Sequence, residues 1–161
     1  MRYHEKIGKI CNDFGKSLKD NGIINSFKDC PISISHLRDI REDSYKYKPD
    51  VYYIRESDKR YITFQVLFSQ GKNPKEIIGD VLNSILTIQI KYGYFIVSNL
   101  EDYQRVNNIL KVSYSILQDI YKLKKQEDLP DIQLILIEPN NNISKIIQTL
   151  EKLCKKHKWC N

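Results

Sequence analysis

The chain of 161 residues contains no alanine, and it has only six glycines and five prolines. Alanine is displaced by heavy use of Ile, Lys, Asn and Tyr, a pattern of AT-rich coding that carries no mechanism. No glycine-rich phosphate loop, dinucleotide fingerprint or nucleophile elbow is present, which argues against P-loop, Rossmann-type and α/β-hydrolase chemistry. Long hydrophobic runs are missing as well. Nothing approaches the ~18 consecutive apolar residues of a membrane-spanning helix. Met1-Arg2-Tyr3-His4-Glu5-Lys6 leads into no hydrophobic stretch, so a secretory signal is not expected and the chain reads as intracellular, cytoplasmic.

Cysteine is sparse: Cys11, Cys30, Cys154 and Cys160. Disulfides are rare in an intracellular setting. Cys154, His157 and Cys160 are spaced C-x2-H-x2-C, but no second Cys/His pair stands at a usual distance, and Cys154 and His157 continue an apolar helical stripe. Zinc is therefore not expected. His4 and His36 have no partners at nucleophile or metal spacing and read as surface or loop residues.

What is present is ordinary for a globular protein: 41% hydrophobic and 29% charged residues. Repeats, low-complexity segments and linkers are missing, so one domain over 1–161 is expected. Lys and Arg total 26 against 20 for Asp and Glu, a net charge of +6. That excess suits a polyanionic partner, and equally a lysine-rich solvated surface.

Hydrophobic periodicity gives the elements. Tyr3, Ile7, Ile10, Cys11, Phe14 and Leu18 predict a helix over 2–21, stopped at Asn21-Gly22. Ile32-Ser33-Ile34-Ser35 alternates like a strand, and a charged loop from Arg38 to Lys48 follows. Val51–Ile54 and Tyr61–Phe68 read as an antiparallel hairpin across the polar turn Glu56-Ser57-Asp58-Lys59. After Gly71, Pro74 opens a helix striped by Ile77, Ile78, Val81, Leu82, Ile85 and Leu86, with Gly93 as its end. Tyr94–Val97 reads as a buried strand, 101–124 as a long helix, Ile132–Ile137 as a second buried strand closed by Glu138-Pro139, and Ile143–Cys154 as a final helix. The expected architecture is α/β, in the order α-β-β-β-α-β-α-β-α, with a mixed sheet of about five strands.

One stretch carries a family signal. Lys48-Pro49-Asp50-Val51-Tyr52-Tyr53-Ile54 places Pro-Asp at the head of a strand, and Ile62-Thr63-Phe64-Gln65-Val66-Leu67-Phe68-Ser69-Gln70 supplies the next. With the helix before them and the helix and apolar strand after them, residues 1 to about 99 resemble the PD-(D/E)XK nuclease superfamily, a restriction-endonuclease-like fold. The resemblance implies Mg²⁺-dependent phosphodiester hydrolysis of DNA. The strand-head Asp and an acidic residue on the next strand hold the metal, and a Lys two positions on orients water and offsets developing charge.

Carried over by position, Asp50 matches the Asp. Strand alternation groups Thr63, Gln65, Leu67 and Ser69 on the face expected to meet the cleft, so Gln65 falls on the acidic position and Leu67 on the lysine. Both depart from the pattern. Each lost carboxylate charge forfeits roughly 4 kcal/mol of attraction per unit of metal charge, at about 4 Å and an effective dielectric of about 20. Lys72, just beyond the second strand, or Lys48 could supply an ammonium. Glu76 and Asp80, one helical turn apart, could complete a metal set with Asp50 and Gln65, or simply complement the helix dipole. Glu5 matches an acidic residue that some members carry on the first helix, but it lies opposite that helix's apolar stripe and reads as solvated.

Arg38, Arg41, Lys46 and Lys48 are interleaved with Tyr45 and Tyr47 immediately before Asp50, a pattern suited to phosphates and bases. Lys122, Lys124, Lys125 and the lysines at 152, 155, 156 and 158 are explained by helix C-termini. The expected function is thus a divergent nuclease-like domain acting on or binding DNA, with Mg²⁺ if active. Alternatives are a catalytically inactive nucleic-acid or protein-binding module of the same fold, and an unrelated α/β small-ligand or regulatory domain in which Asp50 is structural. The Tyr and Ile content leaves a homodimer open.

Overall fold

The computed structural model describes residues 2–27, 32–33, 46–47, 49–67, 74–87, 90–124 and 130–159. The first helix, α1 (Tyr3–Asp20), buries Ile7, Ile10, Cys11 and Leu18 on one stripe. It stops where Asn21-Gly22 predicts. Gly22 adopts φ 73, and the amides of Gly22 and Ile23 bond back to the carbonyls of Lys19 and Leu18. This is a Schellman ending with glycine in the left-handed position.

Strand β1 (Ile24–Phe27) follows at once. Two-residue strands β2 (Ile32–Ser33) and β3 (Lys46–Tyr47) pair antiparallel in a ribbon of their own. β4 (Val51–Arg55) and β5 (Tyr61–Val66) form the expected antiparallel hairpin. Then come α2 (Pro74–Leu86), β6 (Ile90–Val97), α3 (Leu100–Lys124), β7 (Asp131–Leu136) and α4 (Ile143–Lys156).

The sheet has a mixed four-strand centre, β4-β5-β6-β7, in which β4 and β5 are antiparallel and the other pairings parallel. β1 joins its edge antiparallel to β4. The helices and the four central strands run α-β-β-α-β-α-β-α, an α/β fold as expected. Three local expectations are corrected. The strand that joins the hairpin's sheet is 24–27, which periodicity misses because Ile24-Asn25-Ser26-Phe27 does not alternate. Of the expected 32–35 strand, Ile32–Ser33 does form β2, in the separate ribbon, and 34–35 lie outside the described residues. The charged loop contains β3. Gly93 lies inside β6, not at a helix end: a Cβ there would sit 2.5 Å from Ile132 Cδ1, so the residue marks close packing of β6 on its neighbour.

Helices cover both faces. α1 and α4 enclose a core with Val51, Tyr53, Ile62, Phe64, Val66, Tyr94 and Ile96. α2 and α3 enclose a second with Leu67, Phe95, Val97 and Ile132. Local chemistry sets the helix starts. Asn99 accepts from the Asp102 amide at 2.8 Å while its own amide donates to Asp102 Oδ2 at 2.8 Å, a reciprocal cap on α3. Asn142 Oδ1 accepts from the Lys145 amide at 2.8 Å and caps α4. No helix among the described residues is long and apolar enough to cross a membrane.

Two glycines of α1 make a pair with opposite outcomes. A Cβ on Gly15 would stand 2.3 Å from Cε1 of Tyr53, a fully buried ring with no room to retreat, whereas nothing lies within 4 Å of one on Gly8. Gly8→Ala gains up to about 1 kcal/mol of helix propensity. Gly15→Ala gains the same propensity but incurs overpacking of typically ~1–3 kcal/mol. Urea denaturation will show the midpoint raised by Gly8→Ala and lowered by Gly15→Ala.

Candidate functional site

The β4–β5 hairpin positions the Pro-Asp motif. Its register pairs Val51 with Phe64, so one step further places Asp50 beside Gln65. Asp50 is half-buried behind the buried Pro49. Its Oδ2 accepts a 2.7 Å hydrogen bond from the Val66 amide, so the carboxylate stands where the antiparallel ladder ends and satisfies a strand donor. The same charge is felt in α1. Burial pushes the Cys11 thiol up to about 12, and the Asp50 carboxylate adds to the shift, so Cys11 is an inert core thiol rather than a nucleophile.

Gln65 does not face an open cleft. It is 8% exposed and Thr63 is 2% exposed, on the face of β5 that alternation continues into Leu67. Leu67, at the family's lysine position, is a core residue of the α2–α3 layer. On α2, Glu76 is exposed in the first turn and Asp80 is half-buried. Glu5 accepts from the Arg2 amide at 3.2 Å at the start of α1, a local helix role. Lys46 belongs to β3, three residues ahead of Pro49. Lys72, Lys48, Arg38, Arg41 and His36 lie outside the described residues.

Asp50 and Gln65 are therefore brought together. Among the described residues no group of three or more His, Cys, Asp or Glu side chains is gathered for a metal. One carboxylate with Oδ2 engaged and one neutral amide do not by themselves assemble a Mg²⁺ centre, which relies on carboxylate charge.

Sequence reading missed a buried polar network at the end of α4. The Tyr94 hydroxyl bonds His157 Nδ1, the Trp159 indole N–H donates to the Tyr94 oxygen at 3.0 Å, and the Gln133 amide lies 2.9 Å from His157 Nε2. Tyr92 stacks on the imidazole at 5.0 Å, and the Arg55 guanidinium lies 5.5 Å above the Tyr92 ring. The helical stripe through Cys154 and His157 was the available signal, and it placed His157 inward without naming its partners. Both ring nitrogens are engaged within the protein, so the ring acts as a structural link.

Grooves open elsewhere. One of about 470 Å³ lies between α3 and β7, beside Tyr103, Lys111 and Gln133. Another of about 400 Å³ lies between α1 and α4, and one of about 450 Å³ between α2 and α3. The linings of these three include neither Asp50 nor Gln65. No protein-family model matches the chain, and comparisons with curated proteins and with solved structures find no match.

Burial holds the His157 imidazole below its ordinary value; the Asp131 carboxylate opposes this and Lys156 reinforces it. The unfolded chain therefore binds a proton near pH ~6.5 that the folded ring resists. Stability from this group is complete above that pH and is lost as pH falls from it toward the lowered native value. Thermal melts at about pH 7.5 and about pH 5 should show a drop in midpoint that is smaller in His157→Gln. Identical drops would contradict this origin.

Proposed function

We propose that this chain is a DNA-binding domain of the PD-(D/E)XK nuclease type, in which the metal site is degenerate and the basic segment before Asp50 holds the phosphates. The carrying observation is the head of the hairpin: Asp50 stands beside Gln65, and its Oδ2 serves the Val66 amide. The helix and strand order also supports the reading, since α1, β1, β4, β5, α2 and β6 follow the α-β-β-β-α-β series that the resemblance implies.

Binding is favoured over hydrolysis on charge. Phosphodiester cleavage concentrates negative charge on the reacting phosphate and needs several carboxylates, a metal and an ammonium to offset it. Here the acidic position holds Gln65 and the lysine position holds the core residue Leu67. An active enzyme of this family would need Lys72, and Glu76 or Asp80, to complete Asp50. Arg38, Arg41, Lys46 and Lys48 remain as phosphate contacts, and chain connectivity ties them to the head of β4.

Fluorescence anisotropy with a labelled duplex tests this. Wild type should bind with steep salt dependence. Neutralising Arg38, Arg41 and Lys48 to Gln should lower the salt slope by about 2.7, at ~0.9 per phosphate contact. Asp50→Asn should bind like wild type, and plasmid incubated with Mg²⁺ or Mn²⁺ should remain intact. The absence of binding at low salt would overturn the proposal. Metal-dependent cleavage abolished by Asp50→Ala would replace it with the nuclease reading.

A further inference from the structure

The α2–α3 layer carries an apolar surface that the DNA reading does not use. Val112 and Ile116 on α3 are 61% and 56% exposed, and Ile78 on α2 is 40% exposed. With Leu82 they line the 450 Å³ groove between the two helices, where among the described residues the polar lining is Asn108 and Ser113 and none is charged. A groove without cations is not built for nucleic acid. Several large aliphatic side chains left in water along one groove are the mark of a protein interface.

The charges flanking the patch point to its occupant. Residues 105, 112 and 119 are seven apart, two turns of helix, so Arg105, Val112 and Asp119 lie in one row along α3. Arg105 is 44% exposed with an Asp102 oxygen at 3.2 Å, and Asp119 is exposed. Two antiparallel copies of this helix related by a twofold axis at Val112 would set each position before 112 against the corresponding position after it. Arg105 then opposes Asp119 of the second copy, and the pairing occurs twice. Val112 meets itself, and Asn108 faces Ile116. In a parallel arrangement the same row sets like charges together. The row is thus self-complementary in one orientation, as an isologous interface requires.

We propose that α3 is a dimerisation helix, against which α3 of a second copy of this chain docks antiparallel about a twofold axis at Val112. The 25 residues of α3 span about 37 Å at 1.5 Å each. This inference does not depend on DNA binding.

Sedimentation equilibrium of the full chain tests it. Wild type should dimerise reversibly. Val112→Glu, which brings two carboxylates together on the axis, should weaken the dimer at least ~100-fold, as for a central hot spot. Far-UV circular dichroism should remain that of wild type, since residue 112 is exposed. Arg105→Asp should weaken association, and adding Asp119→Arg should restore it. In a Cys30→Ser, Cys160→Ser background, Val112→Cys should cross-link to itself on oxidation. A chain monomeric at all concentrations, a dimer indifferent to Val112→Glu, no Val112→Cys cross-link, or a monomer whose patch holds a different protein would each overturn the proposal.

Discussion

Trp159 is the side chain on which the packing of this fold converges. It is fully buried, with ring centroids 5.9 Å from Tyr53, 5.8 Å from Phe64, 5.7 Å from Tyr94 and 6.4 Å from Phe14. Those four rings come from β4, β5, β6 and α1, and Trp159 itself follows α4. Aromatic pairs contribute about 0.5–1.5 kcal/mol each beyond their buried area. The indole N–H is satisfied by the Tyr94 oxygen, so this polar atom can be buried without penalty. One residue therefore links two helices and three strands.

That linkage extends to the candidate site. Tyr53, held between Trp159 and Phe64, reaches through the space left by Gly15 to donate its hydroxyl to the Cys11 carbonyl. It fixes β4 against α1 two residues beyond Val51. Phe64 on β5 pairs with Val51 in the adjacent register position, so the aromatic cluster also aligns the strand ends where Asp50 stands beside Gln65. The carboxylate then completes the ladder by accepting from Val66. The described surroundings thus fix the position of Asp50 at the end of the ladder.

Much of this architecture is legible in the sequence because its causes are local. The stripe of α1, the hairpin around Glu56–Lys59 and Pro74 at the start of α2 follow from spacing and turn chemistry alone. The ends of α1 and α4 show where legibility stops. Both are Schellman endings, with the amides of Ile23 and Trp159 bonded to the carbonyls of Leu18 and Cys154. The first is announced by Gly22. The second uses Lys158 at φ 48, a residue that gives no turn signal, so a tryptophan among lysines looks exposed when the chain in fact turns inward. Gln65 as the counterpart of Asp50 was legible through strand alternation and the Pro-Asp pattern, whereas its burial was not, because burial depends on residues distant in the chain. The same distance hides the His157 partners, Tyr94 and Gln133, which lie on β6 and β7.

The central claim, that Trp159 closes one cooperative unit, is tested most directly by equilibrium urea unfolding followed with two probes. Trp159 is the single tryptophan, so its fluorescence reports this cluster alone, and far-UV circular dichroism reports the helices and sheet. The account predicts coincident transitions with one midpoint. A fluorescence transition completed at lower urea, with the dichroism still native, would show that the chain after α4 detaches without consequence and would contradict it.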